Sequence, residues 1–120
     1  MDQAEMRKRT KAFALSVIRF TDALPRRRTA DVIGKQLLRS GTSVGANYRA
    51  ACRARSRADF IAKMGIVLEE ADESLYWMQL GESETLKALA REANELVSII
   101  AASVMTAKAT KSRSNLKSSI

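Results

Sequence analysis

Eight basic residues are placed where they could grip phosphate together: Arg7, Lys8, Arg9 and Lys11 near the start, and Arg49, Arg53, Arg55 and Arg57 in the middle. A guanidinium can hold a phosphate through two parallel hydrogen bonds, and several acting together give salt-dependent binding that tolerates any sequence. Arg49 and Arg53 are one helical turn apart, and Arg55 and Arg57 extend the patch through a turn. Arg26 to Arg28 and the cations near the C-terminus add to it. The same side chains could instead solvate a helical surface or pair with the acidic run Glu69, Glu70, Asp72 and Glu73. Charge is unevenly spread: residues 1 to 60 carry 14 Lys and Arg against 5 Asp and Glu, while residues 61 to 120 carry 7 against 8. Such an asymmetry suits a polyanion such as RNA, and equally suits pairing between basic and acidic subunit faces.

Other chemistries find few residues to work with. The single cysteine, Cys52, and the lack of histidine rule out an intramolecular disulfide, the usual zinc ligand sets and a histidine base for a cysteine nucleophile. Di-metal bundles use Glu-x-x-His pairs, which this chain cannot supply, so Glu69 and Glu73, four residues apart, read as charged surface. In GTSVG, residues 41 to 45, there is neither GxGxxG spacing nor a Walker lysine. No catalytic residue, metal site or cofactor is therefore expected. The polar start MDQAEMRKRTK has no apolar segment of a secretory signal, and LVSIIAASVM, residues 96 to 105, is too short to span a bilayer. A reducing cytoplasm is the expected location.

These side chains need elements to position them. With 46% hydrophobic residues, one proline and an Ala, Leu, Glu, Lys and Arg-rich composition, the chain favours helices and has room for one domain. Met6, Phe13, Val17, Phe20 and Leu24 recur at helical spacing, predicting a helix over about 3–23 that Pro25 ends. Ala30, Ile33, Leu37, Val44, Tyr48 and Ala51 make a second stripe from about Thr29, where Thr29 is half a capping signal. Ser56 stands three residues before Asp59, a capping box that starts a third helix near residue 57. Its stripe is Phe60, Met64, Val67, Ala71, Leu75 and Met78, and Gly81 is suited to a left-handed cap. Ser83 caps a fourth helix carrying Leu86, Leu89, Ala93, Leu96, Ile100 and Val104. The expected architecture is all-α: an antiparallel up-down four-helix bundle over residues 1–107, with a flexible basic tail over 108–120.

The second stripe runs straight through GTSVGANYR, residues 41 to 49, so this segment reads as helix rather than ligand loop. Glycine inside a helix costs about 1 kcal/mol relative to alanine, and close approach of a neighbour is the compensation that Gly41 and Gly45 suggest. Gln36, Ser40, Ser43 and Asn47 border the stripe. Arg39, Ser43 and Asn47 read as polar groups satisfied inside the bundle that fix its register. Ile66 and Trp77 lie about 100° from the core stripe of the third helix and suggest a self-association surface, with ordinary partial burial as the alternative.

QLLRSGTSVGANYRAACRARSRADFIAKMGIVLEEADESLYWMQL, residues 36 to 80, resembles the signature region of bacterial four-helix bundle proteins encoded within intervening sequences of large-subunit ribosomal RNA genes. Arg39, Ser43, Asn47, Arg55, Ser56 and Phe60 carry the resemblance in order, and the flanks follow by pattern. Many relatives place an acidic residue and a glycine shortly after the asparagine, where this chain has Arg49, Ala50 and Ala51, so a role for that acidic position does not carry over. The resemblance implies an up-down bundle assembled as a homopentameric ring, without enzymatic activity. It also implies distant kinship with the accessory protein of diversity-generating retroelements, which binds a reverse transcriptase and nucleic acid. Two expectations follow: a homo-oligomeric scaffold that binds RNA or a nucleic-acid-processing protein, or a protein-interaction module that binds no nucleic acid.

Overall fold

A computed structural model describes the backbone of residues 1–119 and the side chains of residues 1–110. Four helices follow one another: α1 (Gln3–Asp22), α2 (Arg28–Cys52), α3 (Arg57–Gln79) and α4 (Glu84–Ser119). Each packs against the next, and α1 also meets α4, which closes an up-down bundle; among the described residues the backbones of the diagonal pairs do not approach closely. The mobility expected of the basic tail concerns residues that for the most part lie outside those whose side chains are described.

Local chemistry explains where the helices start. Asp2 caps α1, its carboxylate accepting from the Glu5 amide at 2.8 Å. Ser56 caps α3 by accepting from Asp59 N–H at 3.0 Å, and Ser83 accepts from Leu86 N–H at 3.2 Å at the head of α4. Two end signals work differently from their sequence reading. Thr29 does not cap α2: the extended cap residue is Arg27, without a side-chain bond, and Thr29 lies in the first turn, with Asp31 facing the positive helix end. Gly81 does not take a left-handed conformation either, since no described residue has positive φ. The end of α3 instead closes by tight turns, Leu80 N–H to Trp77 O and Gly81 N–H to Met78 O, both 3.3 Å. Gly81 provides room, because a Cβ there would sit 2.3 Å from Leu86 Cδ1.

The core is formed by the four apolar stripes. Met6, Phe13, Val17, Leu37, Val44, Tyr48, Met64, Val67, Ala71, Met78, Leu89, Ala93, Leu96, Ile100 and Val104 are all buried; Phe20, Phe60, Leu75 and Leu86 pack at its edge. GTSVGANYR is the middle of α2, and its glycines face α1. A Cβ on Gly41 would meet both methyls of Val17 at 2.9 Å, and one on Gly45 would lie 3.4 Å from the Thr10 backbone. Backbone therefore meets α1 almost directly. Among the described residues three polar side chains are fully sequestered, and each is satisfied within its own helix: Thr10 donates to Met6 O, Ser40 to Gln36 O and Ser74 to Glu70 O, at 2.8, 2.9 and 2.8 Å. Among the described residues no helix is long and apolar enough to cross a membrane.

Candidate nucleic-acid interface

Antiparallel packing brings the start of α1 beside the end of α2, and the small residues at their contact leave a groove between them. Arg7 and Lys11, one turn apart on α1, form one wall; Arg49 and Arg53, one turn apart on α2, form the other. Ala14, Thr42, Gly45 and Ala46 make the floor and Cys52 stands at one end, around a volume of about 670 Å³. All four cations are exposed. Among the described residues none of them forms an ion pair. Beneath the groove Tyr48 is buried, and that burial, with Cys52 beside it, pushes its phenol up to about 12.

The other basic residues go elsewhere. Arg9 turns away towards α4, where it grips Glu92 through Nε and Nη2 at 2.8 and 2.7 Å and reaches Glu95 at 2.9 Å. Both carboxylates raise the affinity of its guanidinium for its proton. A sequence signal for this existed: Arg9 follows Met6 by three residues and precedes Phe13 by four, so it borders the buried stripe. Arg57 lines a separate, shallow recess with Arg9, Phe60 and Glu95 on the α4 side. Arg55 lies in the α2–α3 turn, its amide directed at Asp59 Oδ2 at 3.4 Å, and Lys8 is exposed on α1 outside the groove. The Asp59 carboxyl lies below its usual range because Lys63 Nζ hydrogen-bonds it at 2.7 Å. Of eight residues that could have formed one patch, four converge.

The acidic middle of α3 is engaged by a different arginine. Arg39 reaches Glu70 at 3.2 Å and also bonds Glu73, tying α2 to α3. Ser43 and Asn47 share its helix but bond only within it: Ser43 Oγ donates to Arg39 O at 2.6 Å and Asn47 Nδ2 to Ser43 O at 2.8 Å. The interhelical part of the polar stripe is thus Arg39. Ile66 is 44% exposed on the outer face of α3. Trp77 is half-buried, donates Nε1–H to Glu73 Oε2 at 3.1 Å and meets Tyr76 edge-on with centroids 5.0 Å apart.

An all-α, up-and-down four-helix bundle with a cationic groove between its first two helices is the class these features define. Within it, the chain belongs to the 23S rRNA-intervening sequence protein family, whose family model matches residues 2–102. It is also similar to a structure of a protein of unknown function from the S23 ribosomal protein family of Bacteroides thetaiotaomicron VPI-5482. The two share 32% identity over 88% of this chain and 99% of that one, with a TM-score of 0.80. No curated protein matches the chain.

Proposed function

We propose that this protein is a non-enzymatic, homo-oligomeric helical scaffold that binds RNA, or a nucleoprotein containing it, through the α1/α2 groove. One observation carries the reading: Arg7, Lys11, Arg49 and Arg53, from two helices, surround a single concavity, and among the described residues no carboxylate engages them. Four cations held this closely repel one another, and a polyanion relieves that repulsion while releasing its own counterions. The competing use of these charges, pairing with the acidic run of α3, is taken up by Arg39 instead. The family's description, 23S rRNA-intervening sequence protein, refers to where such proteins are encoded, so the RNA reading rests on the groove's charge. For self-association, the exposed Ile66 offers an apolar contact on α3, and a closed ring of five copies is the assembly that family resemblance favours.

Titration of the purified, nuclease-treated protein into a labelled structured RNA at several salt concentrations tests the reading. Affinity should fall steeply with salt. Arg49→Glu with Arg53→Glu should weaken binding at least about tenfold at low salt while helicity and assembly stay unchanged, because both side chains are exposed and form no ion pair among the described residues. Wild-type affinity in that variant would remove the groove from the account. If the wild-type protein bound no RNA even at low salt, a protein-recruiting scaffold would replace the RNA reading.

A further inference from the structure

The lining of the α1/α2 groove restricts what part of a nucleic acid it can recognise. Proteins that hold single strands add base stacking on aromatic side chains to phosphate contacts. Every aromatic residue of this chain is placed elsewhere: Phe13 and Tyr48 in the core, Phe20 and Trp77 around the cleft at the opposite end, Phe60 at its edge near α4, and Tyr76 on the outside of α3. The groove therefore has cations and small residues but no stacking platform. Its one hydroxyl, on Thr42, is already donated to Leu38 O at 2.7 Å, so it has no O–H to offer a ribose 2′-oxygen or a base edge.

Shape gives the same answer. Reading bases in a duplex requires a protruding helix or ribbon that enters the major groove, and the deep major groove of A-form RNA does not admit side chains. This site is a concavity whose floor is Ala14, Gly45 and Ala46, kept low by the close approach of α1 and α2 at Gly41 and Gly45. A concave cationic channel is the complement of a convex phosphate ridge. Its two walls each carry cations one helical turn apart, about 6 Å along the axis.

Resting on the RNA-binding reading above, we infer that the α1/α2 groove is a backbone clamp for double-stranded nucleic acid, reading phosphate and neither base nor sugar. A duplex offers a higher density of phosphate charge than a single strand and releases more counterions per contact, about 0.9 against about 0.7. With four contacts, that difference favours the duplex by about tenfold near 50 mM salt.

The experiment compares, on the full-length protein, duplex RNA, duplex DNA of the same sequence, a shuffled duplex and a single-stranded uridine tract of equal length. Binding is read over about 50 to 200 mM salt. The three duplexes should bind within about threefold of one another and the uridine tract about tenfold more weakly near 50 mM. Arg49→Gln with Arg53→Gln should flatten the logarithmic salt slope for duplex by about 1.8, whatever the C-terminal cations contribute, and circular dichroism confirms that it folds. Cys52, half-buried at the end of the groove, supplies a second readout: saturating duplex should slow its alkylation by a thiol reagent, and the double variant should lose that protection. Equal or tighter binding of the uridine tract, discrimination between sequences or sugars, or unprotected Cys52 in a saturated complex overturns the inference. If the uridine tract wins and the double variant abolishes its binding, the RNA-binding groove stands and only the duplex clamp falls. Absence of binding by all four ligands near 50 mM removes both.

Discussion

Arg7 and Arg9 are two positions apart on one helix, which turns their side chains about 200° from each other. One lines the open groove and the other holds Glu92 and Glu95 on α4. Their identical chemistry thus serves different neighbours, and the Arg9 pair is the stronger fixture because the guanidinium is bidentate and its side chain is 21% exposed. Solvent still screens both carboxylates, so the cluster contributes about 1 kcal/mol. Arg9→Gln should lower Tm by about 4 °C in a thermal melt while leaving the salt dependence of RNA binding unchanged. Cationic density alone could not separate Arg9 from its neighbours. What separates it is the register of the apolar stripe, which is already present in the sequence.

On the scale of the element, α2 shows how glycine can serve packing rather than flexibility. Gly41 and Gly65 are both interior helical residues, and alanine would gain about 1 kcal/mol of helix propensity at either. Their surroundings decide the sign. At Gly41 the new Cβ meets the stiff, fully buried Val17 at 2.9 Å, and overpacking of that kind costs about 1–3 kcal/mol. At Gly65 nothing lies within 4 Å. Gly41→Ala should therefore destabilise by about 1 kcal/mol, and Gly65→Ala should stabilise by about 0.5–1 kcal/mol, in urea unfolding at matched m-values. The helices themselves were largely legible: apolar spacing located all four stripes, and Ser56 and Ser83 marked two starts. Asp2 caps a third start that the sequence reading placed by apolar spacing alone, without naming the cap. Thr29 misled because a hydroxyl near a helix start caps only from the residue just outside it, and here the extended residue is Arg27. Gly81 misled because its lack of a side chain is used for clearance from Leu86, which depends on a helix it has not yet met in sequence.

For the whole molecule, the seams between helices differ. α2 packs extensively on both α1 and α3, and α3 on α4, whereas α1 touches α4 only lightly. A recess of about 650 Å³, bordered by Phe13, Ser16, Phe20, Ala88 and Leu89, separates α1 from the start of α4. The Arg9 cluster is the polar tie across this seam among the described residues. α1 is thus held on one flank and loosely on the other. Its amides should exchange with deuterium faster than those of α2 and α3 under native conditions, and Arg9→Gln should widen the gap. Uniform protection of all four helices would show that the bundle opens only as a unit. The order of helices was readable from their length and short connections, but the uneven seam was not, because each amphipathic pattern shows that a face is buried without showing against how much.

The chain has a single tryptophan and a single cysteine, and the fold sets them at opposite ends of the bundle. The indole of Trp77 donates to Glu73, the carboxylate that Arg39 also holds, so its emission depends on the charge beside its nitrogen. Cys52 stands at the mouth of the basic groove. Wild-type protein therefore already has a native optical reporter of the α2–α3 ion pairs and one unique attachment point for an acceptor dye beside the proposed ligand. Energy transfer between them would follow the length of the bundle without a single engineered residue.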